Sequence, residues 1–116
     1  MSLNASIPTL SFRDLLQQLS CWHSNETIAD GERKRILTEI PNPPLLAPLQ
    51  MTARDLKYLP RGTFSFQDYK FYQEDSPLLV QHDVIEYAGN RYSVEQIEDR
   101  TKEGGYTRYN CKEIVA

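Results

Sequence analysis

Apolar residues recur along this chain with two periods, and the change of period divides it. Between residues 11 and 22, Phe12, Leu15, Leu16, Leu19 and Trp22 fall at helical spacing, with Ser11 placed as an N-cap and Asp14 at N3. That spacing predicts a short amphipathic helix. A competing pattern reads part of the same stretch as a strand, Leu19-Ser20-Cys21-Trp22-His23, closed by the turn-prone Ala29-Asp30-Gly31-Glu32 and returning along residues 35–40. Pro41, Pro43 and Pro44 then remove backbone donors, so this stretch reads as an edge, a bend or an exposed connector.

Beyond it the period is mostly two. Residues 45–49 resume a strand, and Thr52-Ala53-Arg54-Asp55 has the spacing of an N-cap with an acidic N3, predicting a helix of about two turns that stops before Pro60-Arg61-Gly62. Phe64-Ser65-Phe66 and Tyr69-Lys70-Phe71 both alternate but slip phase at Gln67-Asp68, which predicts a bulge between two strand halves. In residues 85–94 a two-residue loop at Gly89-Asn90 would pair Tyr87 with Tyr92 and Ile85 with Val94, setting all four on one face. Gly104-Gly105 offers a second turn that tolerates positive φ, after which Tyr109, Cys111 and Val115 alternate inward. Together these predict a mainly β protein: a small barrel or sandwich of short antiparallel strands, with one or two short helices and a long polar loop. The expected organisation is an N-terminal arm over residues 1–32 and a β-barrel domain over residues 33–116, with residues 50–62 projecting as a loop.

Composition narrows the function classes. With 116 residues, 40% hydrophobic and 25% charged, the chain suits one soluble globular core. No apolar run approaches the roughly 20 residues that cross a bilayer, and the first ten residues lack the basic-then-apolar order of a signal peptide. Synthesis in the cytoplasm is expected. A net charge of -3, with the Arg33-Lys34-Arg35 run as the one basic cluster, disfavours sequence-specific nucleic-acid binding, and that run reads as a solvated strand end. Cys21 and Cys111 lie far apart with only His23 and His82 as nitrogen ligands, so neither a metal nor a cofactor is expected, and both thiols read as small buried hydrophobes. His82-Asp83 are strand neighbours that face opposite sides. Cys21 and His23, two apart on a strand, have the geometry of a thiol–imidazole pair, but no oxyanion-supporting turn accompanies them. The expected protein is not an enzyme.

Four elements then occur in order: Leu49-Gln50-Met51-Thr52-Ala53-Arg54-Asp55-Leu56-Lys57-Tyr58-Leu59-Pro60-Arg61-Gly62, Tyr69-Lys70-Phe71-Tyr72, Asp83-Val84-Ile85-Glu86-Tyr87-Ala88-Gly89-Asn90-Arg91-Tyr92-Ser93-Val94 and Gly105-Tyr106-Thr107-Arg108-Tyr109. From residue 49 onward the chain resembles the head-to-tail connector proteins (stopper, head-completion or neck) of tailed bacteriophages. The resemblance implies a virion protein: a β-barrel subunit of a homo-oligomeric ring, a hexamer by preference or a dodecamer. Such a ring has portal or adaptor above it and tail or tail terminator below it, and packaged DNA passes through without being read. A loop of each subunit would face the channel. By position that loop is residues 50–62, with Gln50, Thr52, Arg54, Asp55, Lys57, Tyr58 and Arg61 lining the channel or touching a neighbour. Tyr69, Tyr72 and Tyr106 are the candidate interface aromatics. The rival is a stand-alone β binding module, such as an immunity protein or inhibitor.

Overall fold

The computed structural model describes residues 12–59 and 62–114. Among these residues, eight strands form one antiparallel sheet: β1 (Gln17–Gln18), β2 (Cys21–Ala29), β3 (Glu32–Glu39), β4 (Leu45–Gln50), β5 (Tyr69–Glu74), β6 (Val84–Tyr87), β7 (Asn90–Arg100) and β8 (Tyr106–Ile114). A six-residue helix α1 (Ala53–Tyr58) follows β4, and a single turn α2 (Thr101–Gly104) joins β7 to β8. The expectation of a mainly β chain with two short helices holds.

The strand order is β1-β4-β5-β8-β7-β6-β2-β3. Because β1 runs into β2 through Leu19 and Ser20, one bent stretch of chain pairs with β4 at Gln17 and Gln18 and with β6 at Cys21 and Trp22. Ser20 itself accepts a 2.9 Å hydrogen bond from the Glu86 amide. The sheet therefore curls back on itself as a small barrel, which satisfies edges that an open sheet would leave bare. Its interior is filled by Cys21, Leu46, Phe71, Leu79, Ile85, Tyr92, Val94, Tyr109 and Cys111. The loop between β5 and β6 drops Leu79 into that core. The Tyr109 hydroxyl fixes it there, accepting from the Leu78 and Leu79 amides at 3.0 and 3.2 Å and donating to Gln73 Oε1.

Several local expectations need correction. The helical reading of residues 11–22 fails: only Phe12–Leu15 forms a 3-10 turn, and Trp22 lies in β2. Leu19, one of the five at helical spacing, packs instead against the barrel core, so tertiary burial overrides a pattern that was locally ambiguous. The strand reading of that stretch is the observed one from Cys21 onward. A boundary at residue 33 would consequently cut the β2–β3 hairpin in two. The β6–β7 turn is Ala88-Gly89, with φ of 53° and 83°, so Ile85 opposes Tyr92 and Tyr87 opposes Asn90. The slip is two residues, and the inward face keeps the same side chains. Residues 64–68 are a turn rather than a strand half, built around buried Asp68, whose carboxylate accepts from the Ser65 and Glu113 amides at 2.8 Å each. Val115 lies outside the described residues.

Candidate functional site

One element leaves the barrel altogether. Beyond Trp22, β2 pairs with β3 alone among the described strands, in a ladder of eight opposed pairs that runs from Trp22–Glu39 to Ala29–Glu32. At the usual antiparallel rise this is an arm roughly 24 Å long. Asp30-Gly31, with φ of 55° and 78°, is its tip and has the two positive φ values that match the twist of a hairpin. Every β3 position except half-buried Leu37 is exposed, and Ile28 and Ile36 show 76% and 49% of their surface to solvent. The arm's root is polar and fixed. His23 Nδ1 sits 3.0 Å from the Oδ1 of buried Asp83, while Asp83 Oδ2 accepts from the Val80 amide at 2.9 Å. Arg35 donates to Ser24 Oγ and, at 3.3 Å, to the His82 carbonyl. On the opposite side the Arg91 guanidinium lies 4.6 Å from the Trp22 ring centre. A cleft beside this root is lined by Ser24, Arg35, His82, Glu95 and Lys112 among others.

The segment expected to project does not. Thr52 caps α1 in a capping box, its hydroxyl accepting from the Asp55 amide while the Asp55 carboxylate accepts from the Thr52 amide. Met51, Leu59 and Phe64 are buried around Leu56 in a small second cluster that seats α1 on the barrel. Asp55, counted among the channel-facing candidates, is buried instead and accepts from Lys70 Nζ at 2.6 Å and from Arg108 at 3.2 Å. Glu98 Oε2 lies 3.5 Å from the same Arg108 and accepts from Asn110 at 2.7 Å, extending the network across β8 and β7. Burial works to raise the Asp55 carboxyl, but the Lys70 ammonium and the Thr52 bonds outweigh it and hold the group below its usual range. What α1 offers to solvent is Arg54, Lys57 and Tyr58, the last 79% exposed. Gln50 and Thr52 are also exposed, and Gln50 donates to the Phe66 carbonyl at 3.4 Å. Arg61 lies outside the described residues. The hydrophobic pair Met51 and Leu59, flanking the polar run, was the signal that the run packs down.

The three candidate aromatics separate. Tyr69 faces the core, its ring 5.2 Å from Tyr92 and 5.5 Å from Tyr87. Tyr72 and Tyr106 stack on the outer wall at 5.6 Å and are covered by Phe12, which meets Tyr72 edge-on at 5.2 Å. Arg13 pins this N-terminal strap through Glu74 at 2.9 Å. These tyrosines therefore contact their own chain.

Cys21 is fully buried, its thiol pushed up to about 12 by burial and then by the nearby Asp83 charge, and its sulfur approaches the Leu19 carbonyl rather than an imidazole. His23 turns to Asp83, so the thiol–imidazole pair does not form. Cys111, also fully buried, has its thiol likewise pushed well up by desolvation. Among the described residues, no group of three or more His, Cys, Asp or Glu side chains is arranged to hold a metal ion, and no helix is long and apolar enough to cross a membrane. No family model matches the chain, and no curated protein matches it.

Proposed function

We propose that this chain is a structural subunit of a bacteriophage neck, one copy of a ring that sits between portal or adaptor and tail and helps to retain packaged DNA. The observation that carries the reading is the arm. A two-stranded hairpin is marginal in water on its own, and this one extends past the barrel with Ile28 and Ile36 uncovered by the described chain. Such an element is suited to completion by a neighbour. The barrel supplies a rigid wall, and the order of motifs from residue 49 onward resembles that of connector proteins. The role assigned by position to residues 50–62 passes to the arm, leaving Arg54, Lys57 and Tyr58 on α1 as a second surface for a neighbouring ring. Buried thiols and the absence of a converging nucleophile–base pair among the described residues suit a mechanical rather than a chemical task.

In dilute solution the free protein is expected to be monomeric, assembling on its partner ring. Deleting its gene from the phage that encodes it and imaging the particles by electron microscopy tests the reading. DNA-leaking heads without tails are expected. Normal infectious particles would reject it and leave the stand-alone binding module.

A further inference from the structure

Several strand edges are bare among the described residues, that of β2 beyond Trp22 included, and two of them carry charge runs of opposite sign. The first is the outer edge of β3, which pairs only with β2 and stands at the end of the sheet. It carries Arg33, Lys34 and Arg35 between Glu32 and Glu39. The second belongs to β7. That strand pairs with β8 from Arg91 to Arg100, broken by a bulge at Glu95, but β6 covers it only from Asn90 to Ser93. The Asp83 carbonyl and the His82 amide complete Val94, and Gln81 Nε2 donates to the Glu95 carbonyl at 3.1 Å. From Gln96 to Arg100 no described strand lies on the side away from β8. This edge follows Glu95 and carries Glu98 and Asp99 against Arg100 alone. The loop tied to β7 by Gln81 exposes Leu78 and Val80, at 67% and 59% of their surface.

We infer that β3 of one copy adds to the free edge of β7 in a second copy of this chain, extending that barrel's sheet by one intermolecular strand. Strand addition of this kind takes its affinity from main-chain hydrogen bonds over a few residues, and its register from side chains. Five residues of β7 are available to eight of β3. The basic run meets the acidic one, and Ile36 gains an apolar neighbour in the Leu78–Val80 stretch. The symmetric alternatives are selected against: β3 on β3 would oppose two basic runs, and β7 on β7 two acidic ones, and like charges directly opposite destabilise a pair. Because β3 and β7 are different patches, the contact is head-to-tail and propagates until a ring closes. The inference rests on the ring reading for that closure, but the strand pairing can be tested without a phage.

The test uses the full chain with the two substitutions Lys34→Cys and Asp99→Cys, treated with a short bis-maleimide at high protein concentration. The native thiols are buried and leave little background. A ladder running past the dimer is expected for the double variant, and no more than traces of dimer for either single one. A double variant that stays monomeric would overturn the pairing, as would a Lys34→Cys single variant that dimerises fully, since that reports β3 on β3. Asp99 caps the turn at Thr101, so Lys34→Cys with Arg100→Cys is run beside it and must give the same ladder, with circular dichroism confirming the fold of both. Gene deletion and cross-linking fail separately. Tailless heads without a ladder leave a ring built on another surface, and a ladder from a phage that does not need the gene leaves the pairing but not the neck.

Discussion

The barrel and the arm are built from the same local unit and end with opposite exposures. Ala88-Gly89 and Asp30-Gly31 are both two-residue turns with two positive φ values, and each joins a pair of antiparallel strands in continuous register. In β6 and β7 the strands are flanked by β2 and β8, so Ile85, Tyr92 and Val94 are buried. In the arm the strands outrun their neighbours after Trp22, and the apolar residues Ile28 and Ile36 remain in solvent. Turn chemistry decides that a hairpin forms. What the hairpin does follows from whether a third strand reaches it, and the protein uses one such unit as wall and the other as reach.

If the barrel is the load-carrying half, its loss should dominate any stability measurement. Phe71→Ala removes a fully buried ring that contacts Tyr69, Tyr87 and Tyr92, and the expected cost is about 3–5 kcal/mol. Urea denaturation followed by circular dichroism reads it directly. A loss under about 1 kcal/mol, typical of surface positions, would mean that the aromatic core does not carry the fold.

A smaller effect is expected where α1 is held to the barrel. Asp55→Asn leaves Lys70 and Arg108 facing each other with one carboxylate fewer, a change expected to cost about 3 kcal/mol for a largely buried pair. The sign of the pH dependence follows from the depressed carboxyl. Its stabilisation is complete above the ordinary aspartate value of 3.8 and is lost as pH falls through the lower folded value. Thermal unfolding of the native chain should therefore weaken steeply below about pH 4, and Asp55→Asn should flatten that slope without abolishing it. Asp99, shifted the same way by its bonds to Thr101, keeps a share. Equal slopes in the two proteins would detach Asp55 from the seating of α1.

The legible parts of the molecule were those governed by neighbours in sequence. The capping box at Thr52 and Asp55, the glycine at the α2–β8 junction and the inward alternation of Tyr109 and Cys111 all follow from interactions within a few residues. What could not be read is long-range. The placement of Asp55 depends on Lys70 and Arg108, 15 and 53 positions away, and a polar run whose one buried carboxylate meets two distant cations looks like any solvated loop until those partners are known. The same limit hid the arm: Asp30-Gly31 announced a turn, but nothing local says that β6 begins only at Val84, opposite Trp22, while β2 continues past it.

That difference makes the arm the place where stability and function should come apart. Replacing Ile28 and Ile36 by Thr keeps β-branched side chains that suit a strand and removes apolar surface that is already wet, so the folded monomer should change by no more than about 0.5 kcal/mol. The same double substitution should weaken association, because Ile36 gains its apolar neighbour only when a second copy is present. Placed in the cysteine-pair background, the substitutions should leave the melting curve superimposable and shorten the cross-linked ladder. A large drop in melting temperature would instead show that the arm folds back on its own barrel in solution. An unchanged ladder would leave the main chain and the charge runs as the whole of the contact.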